Sequence, residues 1–185
     1  MLSPEQTADL VVRAKNGDRP AFEALVRAFL RAAYSVALAV VGRPADAEDV
    51  AQEALLVAFE RLDTCREPAR FGGWLLQIVR NRAKNWLDRR RLRDVAAGTD
   101  LHDESLETTT ADATAIQRQL LEALRTLAPL RREIVLLHEL EGWTHSEIAG
   151  ALGISELMSR QHLFLARADL RSELGDQIRQ EVTNE

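Results

Sequence analysis

Four side chains in one stretch of the sequence have the chemistry to bind an unpaired nucleic-acid base. In FGGWLLQIVRNRAKNWLDRRRLR, which begins at Phe71, a helical step of about 100° per residue places Trp74, Gln77, Asn81 and Lys84 on one face. An indole can stack on a base, amides can hydrogen-bond to its edge, and cations neutralise phosphates. The opposite face is apolar, with Leu75, Val79, Ala83 and Trp86. The pattern favours a nucleic-acid surface over a surface tryptophan that merely packs on its neighbours.

Charge is distributed unevenly along the chain. The 185 residues carry a formal net charge of −5, yet residues 61–93 contain ten basic and three acidic side chains. Arg80 and Arg91 lie at the edges of the polar face, and the run Arg89, Arg90, Arg91 closes the segment. A basic helix end can also act only to solubilise the helix and complement its dipole, so this charge fits both interpretations.

A second predicted helix carries an acidic stripe. Asp46, Asp49, Glu53 and Glu60 fall within about 60° of one another around a helix. The opposite side is apolar, with Ala51, Leu55, Ala58 and Leu62. The stripe is either a solvated face or a docking surface for a basic partner helix, because aligned carboxylates orient a partner and speed its association.

The stretch THSEIAGALGIS, residues 144–155, has the spacing of a helix and turn that precede a second helix. Ala149 supplies a small residue where the two helices cross, and Gly153 tolerates the positive φ of a sharp turn. Ser155 is a natural N-cap for the second helix, whose first turn would enter the major groove of DNA. One face of that helix groups Glu156, Arg160, Phe164, Arg167 and Arg171.

Helical periodicity and capping residues recur along the chain, whereas alternating strand patterns do not. We predict an all-α fold with helices at about 4–16, 20–41, 46–62, 71–93, 114–127, 130–141, 144–152 and 155–174. The segment DVAAGTDLHDESLETTTADA, residues 94–113, is polar and acidic and has no apolar face, which predicts a flexible linker. The predicted domains are therefore residues 1–93 and a helix-turn-helix domain at 114–185.

The composition argues against several classes of protein. Cys65 is the one cysteine, and no Cys/His cluster has metal-ligand spacing, so we expect no disulfide, metal or cofactor. No nucleophile–base set or phosphate loop is present, and His138 and Glu139 are adjacent on a helix and point apart, so we expect no enzyme. Neither a signal peptide nor an apolar run of about 18 residues occurs, which predicts a cytoplasmic protein.

Three segments taken together resemble the bacterial extracytoplasmic-function (ECF) sigma factors, the small two-domain specificity subunits of RNA polymerase. They are GRPADAEDVAQEALLVAFERL, RFGGWLLQIVRNRAKNWLDRRR and LAPLRREIVLLHELEGWTHSEIAGALGIS, in that order. The resemblance covers nearly all of the chain outside the linker and the tail. It implies a non-enzymatic subunit whose partners are core RNA polymerase, promoter DNA in double- and single-stranded form and, for many members, an anti-sigma factor.

The resemblance implies a role for each surface of the first domain. The acidic helix would contact the clamp coiled coil of the largest polymerase subunit through Asp46, Asp49, Gln52 and Glu53. Residues 63–93 would recognise and melt the minus-ten promoter element, with the loop 63–71 holding a flipped base. The path of the single strand would be lined by Phe71, Trp74, Gln77, Arg80, Asn81 and Lys84. The linker would thread through the polymerase towards its active-site and RNA-exit channels.

The resemblance also implies contact with the flap region of core polymerase. The second domain would read the minus-thirty-five element as duplex DNA. The residues implied are Ser155, Glu156, Leu157, Arg160, Gln161, Phe164 and Arg167. Nearby the sequence departs from the family, which usually has an apolar residue where Ser159 stands and a basic one where His162 stands. Leu157 and Met158 are bulkier than the usual small residues, and Leu157 could contact a thymine methyl group and change the preferred promoter.

One alternative is a stand-alone helix-turn-helix regulator whose N-terminal half senses a ligand or dimerises. A regulator that binds only duplex DNA needs no single-strand surface. The basic segment that contains Trp74 therefore favours the sigma factor.

Overall fold

The computed structural model describes residues 2–96 and 115–184, and every regular element in these ranges is helical. The helices are α1 (Pro4–Lys15), α2 (Arg19–Val41), α3 (Pro44–Glu60), α4 (Phe71–Ala96), α5 (Ala115–Thr126), α6 (Pro129–Val135), α7 (His145–Leu152) and α8 (Glu156–Asn184). Two 3₁₀ turns, Leu62–Thr64 and Pro68–Arg70, join α3 to α4, and a π-helical turn, Leu136–Leu140, continues α6. The all-α prediction is confirmed. The predicted linker lies outside the described residues except for its first three residues, which end α4.

Helix ends fall where the local sequence satisfies their free backbone groups. Ser3 with Gln6, and Thr144 with Glu147, form capping boxes that start α1 and α7. Gly42 and Gly153 end α2 and α7 in the left-handed conformation, with φ of 74° and 69°. These signals are local, which is why the sequence predicts the helices closely.

The N-terminal core is built around α2, which packs against α1, α3 and α4. Twelve residues of this helix are buried, among them Leu25, Ala33 and Val36 with no exposed surface. By length and mean hydropathy, 1.7, the helix could cross a membrane, but 56% of its most apolar window is buried inside the protein. Because other helices cover its apolar surface, α2 is the central core helix of the domain.

The C-terminal half forms a helix-turn-helix in which α7 and α6 pack on α8. Ile148 of α7 and Ala166 of α8 are fully buried, and Leu163 is 3% exposed. Leu152 and Ile154, on either side of the turn, are half-buried and pack against the same core. The interhelical packing predicted around the turn at Gly153 is therefore present.

The two halves pack directly against each other through α2 with α6 and α4 with α7. Two glycines near the start of α4 allow this close approach. A Cβ atom on Gly73 would lie 3.1 Å from the Ala151 Cα atom of α7, and one on Gly72 would lie 3.3 Å from the Trp143 ring of the second half. The first turn of α4 therefore lies against the backbone of the helix-turn-helix.

Polar contacts of arginines and glutamates surround this junction. Arg125 and Arg132 of the second half donate to the carbonyl oxygens of Gly42 and Ala39, at 3.0 and 2.9 Å, near the end of α2. Glu141 accepts from the Ser35 hydroxyl at 2.9 Å. The carbonyls at the C-terminus of α2 thus have cationic partners, which also suit the negative end of the helix dipole.

Candidate nucleic-acid and polymerase interfaces

The polar face predicted on α4 is largely exposed. Gln77, Asn81 and Lys84 are exposed, and the Gln77 amide donates to the Asn81 amide oxygen at 3.2 Å. Trp74 is half-buried, and its ring lies 5.6 Å from the ring of Phe71. The structure therefore brings amides, an ammonium group and part of an indole together on one surface.

Phe71 does not belong to this surface. Its side chain has no exposed area, and its ring packs edge-on against Phe29 at a centroid distance of 5.3 Å. A side chain without exposed area cannot stack on a base, so we correct the prediction that Phe71 lines the strand path. Its large apolar ring instead anchors the start of α4 in the core.

Arg80 points away from solvent and towards the C-terminal half. Its Nε donates to Glu133 at 2.8 Å and a terminal nitrogen donates to the Ala151 carbonyl at 2.9 Å. The side chains of Arg80 and Glu133 are only 13% and 6% exposed. Burial raises the pKa of Glu133, and the charge of Arg80 partly offsets that effect. The Arg80 guanidinium, predicted to lie along the path of the single strand, therefore links the two halves of the protein.

A cleft of about 450 Å³ lies beside the polar face, between the end of α3 and the middle of α4. Its walls combine apolar, amide and basic side chains, namely Val57, Arg61, Ile78, Asn81, Arg82, Lys84 and Asn85. Sequence reasoning included two of these residues and missed Arg61, Arg82 and Asn85. The excess of basic residues in 61–93 was the available signal, but only the packing of α3 on α4 places Arg61 here.

The acidic stripe on α3 is a solvent-facing surface with one exception. Asp49, Gln52 and Glu53 are exposed. Asp46 is half-buried at the edge, within 3.6 Å of Arg43 and 3.4 Å of Arg90. Its carboxylate therefore already has two cationic partners inside the domain.

Two large apolar side chains lie next to this stripe. Leu56 is 66% exposed and Phe59 is 51% exposed, and the Phe59 ring rests edge-on against Phe22 at 4.9 Å. Exposed apolar groups beside charged ones are typical of protein–protein contact surfaces. Sequence reasoning missed both residues because the apolar pattern of this helix was assigned to its core face.

The predicted DNA-reading face of α8 is exposed. The Ser155 hydroxyl caps the helix by accepting from the Met158 backbone amide at 3.1 Å, which confirms the predicted N-cap. Beyond the cap, exposed side chains follow one another around the first turns: Glu156, Leu157, Met158, Arg160, Gln161, Phe164 and Arg167. Arg160 lies 3.7 Å from Glu156, and Arg167 Nε donates to Glu139 at 2.8 Å. This surface combines hydrogen-bonding, cationic and apolar groups suited to the major groove.

In the part of the chain that the structure describes, no group of histidine, cysteine or acidic side chains could hold a metal ion. Cys65 is buried, and burial raises the pKa of its thiol above the ordinary value. Lys15 donates to its carbonyl oxygen at 2.7 Å, so the residue secures the loop between α3 and α4 against α1.

Comparison with known families agrees with this geometry. The sigma-70 region 2 family matches residues 25–93, which contain α3 and most of α2 and α4, and the sigma-70 region 4 family matches residues 117–170. Two different families of one functional class thus match the two halves, in the order that the sequence resemblance implies. Neither match favours a stand-alone regulator.

Relatives and solved structures extend this likeness over most of the chain. The RNA polymerase sigma-H factor of Pseudomonas aeruginosa is 30% identical over 97% of this chain and 100% of its own length. A probable RNA polymerase sigma factor, RfaY of Xanthomonas campestris pv. campestris, is 35% identical over 87% of this chain, which spans 42% of that longer protein. The solved structure of CnrH with the cytosolic domain of CnrY matches with a TM-score of 0.66 and 25% identity, over 92% of this chain and 98% of that one. The chain belongs to the ECF group of RNA polymerase sigma factors.

Proposed function

We propose that this sigma factor divides promoter recognition among three surfaces of the described residues. The exposed face of α3 docks on core polymerase, the polar face of α4 with its cleft takes the separated minus-ten strand, and α8 reads the minus-thirty-five duplex. Residues 1–93 and 114–185 act as the two functional domains. The protein works by binding rather than by catalysis, in the cytoplasm, where polymerase and promoter DNA occur together.

The basic cleft beside α4 carries this proposal. An unpaired strand offers base faces, base edges and phosphates, and the cleft and its rim supply an apolar wall, amides and cations for each of them. A protein that reads only duplex DNA needs no such concave surface. The proposal assigns Asn81 and Lys84 to direct contact, because both are exposed and both line the cleft.

DNA melting by reconstituted holoenzyme tests this assignment. We expect Asn81→Ala with Lys84→Ala to reduce open-complex formation about tenfold or more, since a hydrogen bond between uncharged groups is worth about 1 kcal/mol and one to a charged group about 1.5–3 kcal/mol. Binding of the variant to core polymerase should be unchanged. Permanganate reactivity of the minus-ten thymines measures melting, and co-purification with core polymerase measures docking.

The control loses the same single positive charge at a different site. Arg27→Ala removes one cation from an exposed site on α2, where it faces Glu23 at 3.7 Å. It should melt promoters like the unmodified protein. If the Asn81 and Lys84 double variant melts DNA as well as Arg27→Ala does, the cleft has no part in strand binding.

Docking on core polymerase is assigned to Asp49, Gln52 and Glu53, with Leu56 and Phe59 as apolar anchors. All five side chains are exposed on consecutive turns of α3. The carboxylates would orient a basic partner helix, and burial of the two apolar groups would hold it. Asp46 contributes less, because Arg43 and Arg90 already contact its carboxylate.

Charge reversal tests the docking face. Asp49→Arg with Glu53→Arg should abolish co-purification with core polymerase and leave the helical circular-dichroism spectrum intact, because neither side chain is buried. The matched control, Glu5→Arg with Glu23→Arg, makes the same change of charge on other exposed sites of α1 and α2. Normal core binding by the α3 variant would remove α3 from the docking surface.

A further inference from the structure

A buried serine begins the inward face of α8. Ser159 has no exposed surface, and Leu163 and Ala166 continue the same buried stripe along the helix. A buried hydroxyl is costly unless it has a hydrogen-bond partner. The partner of Ser159 is His145, whose Nδ1 lies 2.9 Å from the Ser159 hydroxyl oxygen.

The histidine is itself held in a fixed orientation. It is the first residue of α7, directly after Thr144, whose capping box with Glu147 sets the start of that helix. Its ring stacks on the ring of His138 at a centroid distance of 4.7 Å and an interplanar angle of 18°. His138 Nδ1 in turn lies 2.8 Å from the Trp143 carbonyl oxygen, and because a carbonyl only accepts, this nitrogen donates. The π-helical turn, the start of α7 and the first turn of α8 are thus linked through side chains.

We infer that His145 and Ser159 are positioning residues that set the orientation of α8 for reading the minus-thirty-five element. Leu157, Gln161 and Phe164 project from the side of the helix opposite Ser159, so rotation about this contact moves them directly against the base edges. The inference rests on the proposed function of α8. It concerns a pair of residues that touch each other and not DNA bases.

Physical chemistry explains why a polar pair is suited to this task. Apolar contacts are non-directional and tolerate small rotations, whereas a hydrogen bond weakens steeply when its angle departs from linearity. On a buried stripe that is otherwise apolar at Leu163 and Ala166, this chain has Ser159, and His145 provides its directional partner. The contact joins the first residue of α7 to the first turn of α8, so the hydrogen bond acts on the orientation of one helix relative to the other.

Selection of DNA by reconstituted holoenzyme tests the inference. A pool of duplex DNA is randomised in the minus-thirty-five element, here called the upstream block, and in the minus-ten element, the downstream block. The pool is bound, recovered and sequenced for each variant. We expect Ser159→Ala to lower the enrichment of the preferred upstream block about tenfold, from the loss of one buried hydrogen bond, with the downstream block unchanged. Ser172→Ala, at an exposed serine of the same helix, is the matched control and should select like the unmodified protein.

Variants of the histidine separate positioning from general stability. His145→Ala should lose upstream enrichment as Ser159→Ala does, and the double variant should lose no more than either single one, because both break the same contact. His145→Asn, whose amide takes the place of Nδ1, should restore selection. This pair of histidine variants still decides the question if circular dichroism finds Ser159→Ala unfolded.

Two results would overturn the inference. The first is that Ser159→Ala selects the upstream block as well as Ser172→Ala does. The second is that the losses of the two single variants multiply, so that the double variant loses about a hundredfold. Failure of the unmodified holoenzyme to select any upstream block would instead overturn the proposed reading by α8, and the positioning role with it.

Discussion

The Arg80–Glu133 contact is a buried ion pair that joins side chains 53 positions apart in the sequence. Taking two charges out of water is costly, and here the cost is offset by their mutual attraction and by the bond from Arg80 to the Ala151 carbonyl. Removal of one partner therefore leaves an uncompensated buried charge. Removal of both leaves apolar surface that can pack.

This asymmetry gives a prediction for the free protein. Arg80→Met should lower the free energy of unfolding by about 3 kcal/mol, because Glu133 then stays buried without its cation. Adding Glu133→Leu should recover most of that loss. Urea unfolding followed by tryptophan fluorescence measures both values. A double variant as unstable as Arg80→Met would mean that the pair is not the origin of the effect.

At the scale of the helices, local sequence determined most of what could be predicted. Capping boxes at Ser3 and Thr144 and the glycine at 153 mark helix ends through contacts within a few residues. The side-chain errors have a different origin. Phe71 was assigned to DNA contact by its place in a motif, but its side chain packs in the core against the Phe29 ring, 42 positions earlier in the sequence. Contacts between distant segments leave no local pattern, so neither this burial nor the partner of Arg80 could be predicted.

The start of α7 should make the C-terminal domain sensitive to pH. Burial lowers the pKa of His145 below its ordinary value of 6.5, helped by His138 and the cations Arg160 and Arg167 and opposed by Glu156. The unfolded chain then binds the proton more tightly than the folded one. The stability that neutral His145 contributes to the fold is fully present above about pH 6.5 and is lost as the pH falls through the lowered pKa.

Thermal unfolding of two proteins checks this sign. The midpoint of the unmodified protein should fall more between about pH 7.5 and about pH 5.5 than that of His145→Asn, which keeps a polar group but does not titrate there. Titratable groups that do not interact with His145 are common to both proteins and cancel, so the difference reports His145 together with the neighbours that interact with it. A larger fall in His145→Asn would reverse the assignment.

At the scale of the whole molecule, the described helices form one packed unit, in which the two halves approach each other closely at Gly73. Gly73 lets α4 approach the α7 backbone, and this approach brings Arg80 within reach of Glu133 and the Ala151 carbonyl. The ion pair is therefore a consequence of the close packing as well as a contribution to it. A side chain added at position 73 should act as a steric wedge that separates the halves without altering any charge.

Gly73→Ala supplies that wedge, since its Cβ would lie 3.1 Å from the Ala151 Cα atom, and backbone cannot move aside as a side chain can. Alanine also favours a helix over glycine by about 1 kcal/mol, so α4 itself should be strengthened. The matched control is Gly150→Ala in α7, where a Cβ would meet nothing within 4 Å. We expect small-angle X-ray scattering to give a larger radius of gyration for Gly73→Ala than for Gly150→Ala. Equal radii would mean that the contact between α4 and α7 does not determine the overall dimensions of the protein in solution.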